Sequence, residues 1–214
     1  MPLPFAPLGL RRNPFGALAD DERAALAIVE IDGWVDWLHG GKRALQLMDP
    51  PGRGKSTHLL ALRRRIPETV LVRPLQGIPR APRTGLLLLD DAQLVPLWRR
   101  VRLWRRAGPV ALATHRDFTR ELTLFGFQVQ TVRPSAAWTL ERFKAAVDAR
   151  VMASLDGPAN GTTVSNEVAA TVFHRCGTDV RAALDWLYDE FQHRELRARG
   201  WASDRDRRLD PSHA

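Results

Sequence analysis

Read for its apolar and polar positions, the chain changes character twice. Residues 1 to 18 are proline-rich and have no period, which predicts a leader lying along the surface. "ADDERAALAIVEIDGWVDWL" then spaces Leu26, Ile28, Val29, Trp34, Val35 and Leu38 as helical faces do. Asp20 or Asp21 can cap that helix, Gly33 can split it, and Gly40-Gly41 ends it. "RALQLM" (43–48) predicts a strand, and "STHLLALRRRI" (56–66) a helix stopped by Pro67. "TVLVRPL" (69–75) predicts a second strand. The unbroken apolar run Leu86 to Leu89 predicts a third, covered on both faces.

The alternation continues. In "LVPLWRRVRLWRRAG", Leu94, Leu97, Trp98, Val101 and Trp104 share one side of a helix, with the arginines mostly opposite. "PVALAT" (109–114) is a buried-looking strand, "RDFTRELTLFG" a short helix and "FQVQTV" a further strand. Strands alternating with helices predict an α/β fold with a parallel sheet. From Thr139 the strand signal stops. Three helices follow, with Thr139, Ser165 and Thr178 or Asp179 as caps and "DGPANGTT" and Gly177-Thr178 as breaks. The expected organisation is a leader (1–18), an α/β core (19–137), a helical lid (138–199) and a loose charged tail (200–214).

Composition narrows the classes. A chain of 214 residues with 44% hydrophobic content builds one ordinary core with a small appendage. The lone Cys176 excludes an intrachain disulfide and favours a reducing cytoplasm. No apolar run reaches membrane-span length, and the start lacks the charge-then-apolar order of a signal peptide. The formal net charge is +8, which permits DNA or another polyanion as a partner. Only Lys42, Lys55 and Lys144 are lysines, so arginine supplies nearly all the positive charge, a bias that a GC-rich genome produces without any function.

The chemistry concentrates in "MDPPGRGKSTHLL" (48–60), close to the phosphate-loop pattern G-x-x-x-x-G-K-[ST]. Gly54, Lys55 and Ser56 fit, but Asp49 stands at the first glycine. The loop follows a predicted strand and opens a predicted helix, the context the pattern requires. Backbone N–H groups from Gly52 to Lys55, including Arg53, can point at phosphate oxygens, aided by the helix N-terminus. Pro50 and Pro51 stiffen the approach. Lys55 would bridge the outer phosphates, Ser56 would ligate Mg²⁺, and Thr57 would bind more peripherally. A carboxylate aimed at phosphates would repel them. Asp49 is therefore expected to point outward, toward Arg53 or another arginine.

"LLLLDD" supplies the second half of such a site. Asp90 would hold the Mg²⁺ shell and Asp91 would polarise the attacking water. Glutamate is commoner at the second position. Aspartate is one methylene shorter, which predicts slow hydrolysis.

With these motifs the chain resembles the AAA+ family of P-loop ATPases from about Asn13 to about Arg197. "DPPGRGKST" resembles the family's phosphate loop and "LLLLDDAQ" its acidic motif. "VALATHRD" resembles the sensor-1 strand, with His115 in the polar position beside Thr114. "CGTDVRAALDWL" resembles the sensor-2 helix, with Arg181 as the arginine that reaches the γ-phosphate. "NPFGALADDERA" is similar to small AAA+ ATPases of bacterial secretion and transposition systems. The resemblance implies ATP and Mg²⁺ as cofactors, a trimmed AAA+ core with a helical lid, and a homo-oligomer or protein partner. It also implies an arginine finger, for which Arg116 and Arg120 are candidates. Only about ten residues separate the strands near 70–75 and 86–90, where a parallel crossover normally needs a dozen or more. The family's helix is thus expected to be deleted there, or the topology altered.

Three functions compete. The first is a Mg²⁺-dependent ATPase that remodels or loads a partner. The second is a nucleotide switch with negligible turnover, possible in association with DNA. The third, a small-molecule kinase, ranks low because "GTDVR" suits a sensor lid better than an acceptor pocket. The basic helix "WRRVRLWRR" (98–106) could bind DNA or a partner, its paired arginines and interleaved tryptophans inviting stacking, but it reads more readily as a solvated face with Trp98 and Trp104 in the core.

Overall fold

The computed structural model describes residue 5 and residues 8–74, 85–157 and 163–198, the last five without their side chains. The described residues form two compact units, one of residues 18–138 and one that joins residues 1–17 to 139–214.

The first unit is an α/β layer structure. Its strands are β1 (Arg43–Met48), β2 (Thr69–Val72), β3 (Leu86–Leu89), β4 (Val110–Thr114) and β5 (Gln128–Val132). They lie in the order β2-β3-β4-β1-β5, and every pairing is parallel. β2 and β3 are parallel neighbours, so the connection between them is a crossover even though it is short. Residues 75–84 lie outside the described residues, so the expected loss of a helix there falls outside them too.

Alternation along each strand divides the core in two. Ala44, Leu87, Leu89, Val110 and Leu112 face Leu103 and Trp104 of α4 (Leu97–Arg106) and Leu122 of α5 (Thr119–Leu124). Leu45, Leu47, Leu86, Leu88, Ala111 and Ala113 face Val35 and Leu38 of α2 (Asp32–Leu38) and Leu59 and Leu62 of α3 (Lys55–Arg65). Helices on both faces explain why β3 and β4 are buried throughout.

The first helical stretch differs from its pattern. α1 (Asp20–Ala25) ends with Leu26 as its C-cap, and α2 begins at Asp32. The break therefore falls in the β-branched run around Ile28, Val29 and Ile31, which is poorly suited to a helix, and Gly33 sits inside α2. Neither Asp20 nor Asp21 caps α1. Ala19 is the N-cap, and its N–H donates to Glu22 Oε2 at 3.1 Å.

α4 also differs. Pro96 is its N-cap, and a 3-10 turn over Ala92–Leu94 precedes it. Leu94, Leu97 and Trp98, expected on the apolar side, are exposed, with Trp98 at 57%. The start of the helix shifts the buried stripe to Leu103 and Trp104, and Trp104 is fully buried.

The second unit is helical, with α6 (Leu140–Ser154), α7 (Asn166–Cys176) and α8 (Val180–Ala198). Three expected caps form. Thr139 accepts from Arg142 N–H, Ser165 from Val168 N–H and Asp179 from Ala182 N–H. The stretch expected as a surface leader is partly buried here. Leu10 is fully buried and forms an antiparallel bridge with Leu155, Asn13 donates to the Tyr188 carbonyl at 3.0 Å, and Phe15 packs edge-on against Phe191 at 5.1 Å. Removing such apolar side chains from water is favourable, and that holds the segment. The expected tail, 200–214, lies outside the described residues.

Candidate functional site

In sheets of this kind ligands bind beyond the carboxyl ends of the strands, where the strand order reverses. Here the chain passes from β1 out to β2, returns through β3 and β4, then crosses β1 to reach β5. The loop after β1 and the acidic turn after β3 both open on that edge.

The loop is built from its glycines. Gly52 and Gly54 have φ of 82° and 88°, the left-handed region that favours glycine. Gly54 is also the N-cap of α3, so the loop runs directly into the helix N-terminus. The ring of Trp138 lies 3.8 Å from where a β-carbon on Gly54 would sit, and His58 Nδ1 lies 2.9 Å from the Gly54 carbonyl. Lys55 is 9% exposed, and its ammonium donates to the carbonyls of Asp49 and Pro50, each at 2.7 Å. Arg53 and Ser56 are half-buried, as are Gly52, Gly54 and Thr57, and Pro51 is exposed.

Asp49 is 6% exposed, and its carboxylate is fully engaged. It accepts from the Ser135 N–H at 2.7 Å and from the Ser135 hydroxyl at 2.9 Å, both in the 3-10 turn Pro134–Ala137 after β5. The expected partner was an arginine. A serine fills that place because β5 lies beside β1 and delivers its following turn to the strand end. The carboxylate thus pins the loop to the sheet.

The acidic turn meets the loop. Ser56 Oγ donates to Asp90 Oδ1 at 3.0 Å. Asp90 is 8% exposed, and burial pushes its carboxyl above the ordinary aspartate range. The Ser56 hydrogen bond pulls it down, Asp91 pushes it up and Arg73 pulls it down, with a net upward shift. Arg73, at the end of β2, holds Asp20 through two hydrogen bonds of 2.8 and 3.0 Å and brings its Nε within 3.8 Å of Asp90 Oδ2. The Asp20 hydrogen bond keeps the Arg73 guanidinium firmly charged. A buried carboxylate beside a hydroxyl is a hard-oxygen pair suited to Mg²⁺. The positive-φ glycines, the helix N-terminus and Lys55 suit phosphate. The residues present therefore fit both groups.

Asp91 adopts φ 54° and ψ 50°, the only non-glycine residue with positive φ among the described residues. Aspartate tolerates this conformation better than most residues. Its exposed carboxylate accepts from Gln93 Nε2 at 3.0 Å. Thr114 is fully buried at the end of β4, where its carbonyl accepts from Asp49 N–H at 3.1 Å, tying β4 to the loop. His115 follows on the same edge and is exposed, as are Arg116 and Arg120. Arg181 lies in the first turn of α8, in the helical unit, and is exposed.

Sequence reasoning missed several residues that shape this edge. Arg73 had a usable signal, a lone charge at the end of an apolar strand, as in "LLLLDD". Gln93 and Ser135 had none. Gln46 is fully buried in β1, donates to Asp117 and Thr131 at 3.1 and 3.0 Å, and accepts from Phe118 N–H at 2.7 Å. It fixes the turn that leaves β4.

No protein-family model matches the chain, and no curated protein matches it. Among solved structures, the crystal structure of Cdc6p from Pyrobaculum aerophilum is similar, with a TM-score of 0.53 and 16% identity over 92% of this chain and 67% of that one. The fold is that of a P-loop NTPase. At this identity the likeness concerns the fold alone. Among the described residues, no helix is long and apolar enough to cross a membrane.

Proposed function

We propose that the protein binds ATP with Mg²⁺ and hydrolyses it to remodel or load a partner. The observation that carries this reading is the 3.0 Å hydrogen bond between Ser56 and Asp90, which joins two motifs distant in sequence at one point. In this reading the backbone N–H groups from Gly52 to Lys55 cradle the phosphates, with Pro51 shaping the approach and Thr57 at the periphery. Lys55 exchanges its two carbonyl partners for phosphate oxygens and neutralises their charge. Ser56 and Asp90 hold Mg²⁺, which when bound neutralises charge developing on the phosphates. Asp91 orients the attacking water, His115 senses the outer phosphate, and Arg181 reaches it from the lid. Arg116 or Arg120 serves as a finger in a neighbouring copy, which makes the working form a homo-oligomer. The lone Cys176 supports a cytoplasmic setting.

A second reading, a nucleotide switch with negligible turnover, is favoured by one specific feature. Asp91 is short and its carboxylate is engaged by Gln93 at 3.0 Å.

Turnover of Mg²⁺-ATP measured against protein concentration tests the proposal. Specific activity that rises with concentration is expected, and it falls to background in Asp91→Ala while ATP still binds. Tight binding without turnover at any concentration overturns the ATPase in favour of the switch. Failure to bind ATP overturns both.

A further inference from the structure

α4 carries a surface that the nucleotide site does not use. It contains Arg99, Arg100, Arg102, Arg105 and Arg106 and no acidic residue. One of the five has a structural task. Arg100 grips Glu121 at 2.8 and 2.9 Å and donates to the Val95 carbonyl at 2.6 Å. The other four are exposed. With Trp98 they fall at positions 98, 99, 102, 105 and 106, the three- and four-residue spacing of one helix face. A helix rises 1.5 Å per residue, so Arg99 to Arg106 covers about 10 Å.

Within the stretch of chain that carries it, the charge on this face is not cancelled. Between Ala92 and Arg120 the only acidic residue is Asp117, and its carboxylate is held by Gln46 and Thr119. Glu121 is already matched by Arg100 and by the Trp104 indole N–H at 2.6 Å. Beside the arginines, Trp98 is 57% exposed, and the Arg99 guanidinium lies 4.9 Å from its ring centroid. A large aromatic left in water at the head of an arginine row offers a flat stacking face next to cations.

We propose that this face of α4 binds single-stranded nucleic acid. Arg99, Arg102, Arg105 and Arg106 take the phosphates, and a base stacks on Trp98. Stacking on an exposed aromatic needs an unstacked base, which a single strand offers and a duplex withholds. A lipid surface fits less well, because a membrane-lying helix needs a free apolar face and α4 spends Leu103 and Trp104 on the core. An acidic peptide would satisfy the arginines and leave Trp98 without its partner.

The test is fluorescence anisotropy of a labelled dT20 oligonucleotide with the full chain, titrated at several salt concentrations. Four phosphate contacts predict a salt slope of about −3 in log–log form for a single strand. Arg102→Glu with Arg105→Glu is expected to weaken binding at least tenfold and to flatten the slope by about half. Trp98→Ala is expected to weaken it roughly tenfold with the slope unchanged, and Trp98→Phe to restore part of the loss. Circular dichroism and Mg²⁺-ATP binding are expected to stay as in the parent, because all three positions are exposed and outside the loop.

Four results overturn the proposal. One is no binding of dT20 at low salt. A second is equal loss on charge reversal of Arg63 and Arg64 at the end of α3. A third is duplex bound as tightly as dT20 with Trp98→Ala silent. The fourth is stronger, α4-dependent binding to anionic vesicles or polyglutamate than to dT20.

Discussion

α3 and α4 flank the same sheet from opposite faces, each packed on a strand set that differs only by alternation. Both are rich in arginine, but they place it differently. In α3 the arginines are Arg63, Arg64 and Arg65, all in the last turn, where they complement the negative end of the helix dipole. Its first turn carries Lys55 alone and opens from a glycine loop, and most of its length is buried. In α4 the arginines run the whole length of one side, and the helix starts from a proline without a glycine cradle. The same residue type thus serves two ends. In the two proposals, the arginines at a helix terminus leave the opposite end to a small anion, and those spread along a face meet an extended one.

The largest expected effect separates the two directly. Lys55→Ala should weaken Mg²⁺-ATP binding at least 100-fold by titration calorimetry, while Arg63→Ala leaves it unchanged. Equal losses would break the contrast between the two ends of α3. Next, the two tryptophans of α4 should part company in chemical denaturation. Trp104→Ala removes a fully buried ring and should cost about 3–5 kcal/mol. Trp98→Ala should stay within about 0.5 kcal/mol. Similar losses would mean that both rings support the core.

A smaller effect sharpens the account of the loop. Asp49→Gly restores the usual first glycine but leaves the Ser135 N–H and hydroxyl without their acceptor. Stability should fall by about 1–3 kcal/mol, and nucleotide affinity should change by less than about threefold. A tenfold gain in affinity would mean that the carboxylate repels phosphate. The smallest effect is in acid. Burial pushes the Glu121 carboxyl up, but hydrogen bonds from Arg100 and Trp104 outweigh it and hold the group below the ordinary glutamate range. A depressed folded value contributes stability above the unfolded pKa and loses it as pH falls through the folded one. The parent should therefore lose stability below about pH 4.3 more steeply than Glu121→Gln, as followed by denaturant midpoints at each pH.

Much of the fold was legible because it rests on local pattern. Leu86 to Leu89 read as a doubly covered strand because four apolar residues in a row fit little else. The turn through the glycines at 52 and 54 into α3 was legible because each conformation there is set by its own residue type. Ser165 and Thr139 read as caps for the same reason. The failures share a cause. α4 misled because periodicity gives the spacing of a stripe and not its angle, and the angle depends on where Pro96 lets the helix begin. Asp49 misled because its partner lies on the turn after β5, far along the chain.

By itself the sequence determined the α/β alternation, the glycine loop that opens α3, the acidic strand end and the helical tail, since these follow from residue type and short spacing. Only the tertiary structure decided that Ser135 receives Asp49, that Arg73 sits between Asp20 and Asp90, and that Trp104 is buried while Trp98 is exposed. Those facts depend on which strands become neighbours and how each helix is rotated on the sheet, and long-range packing sets both.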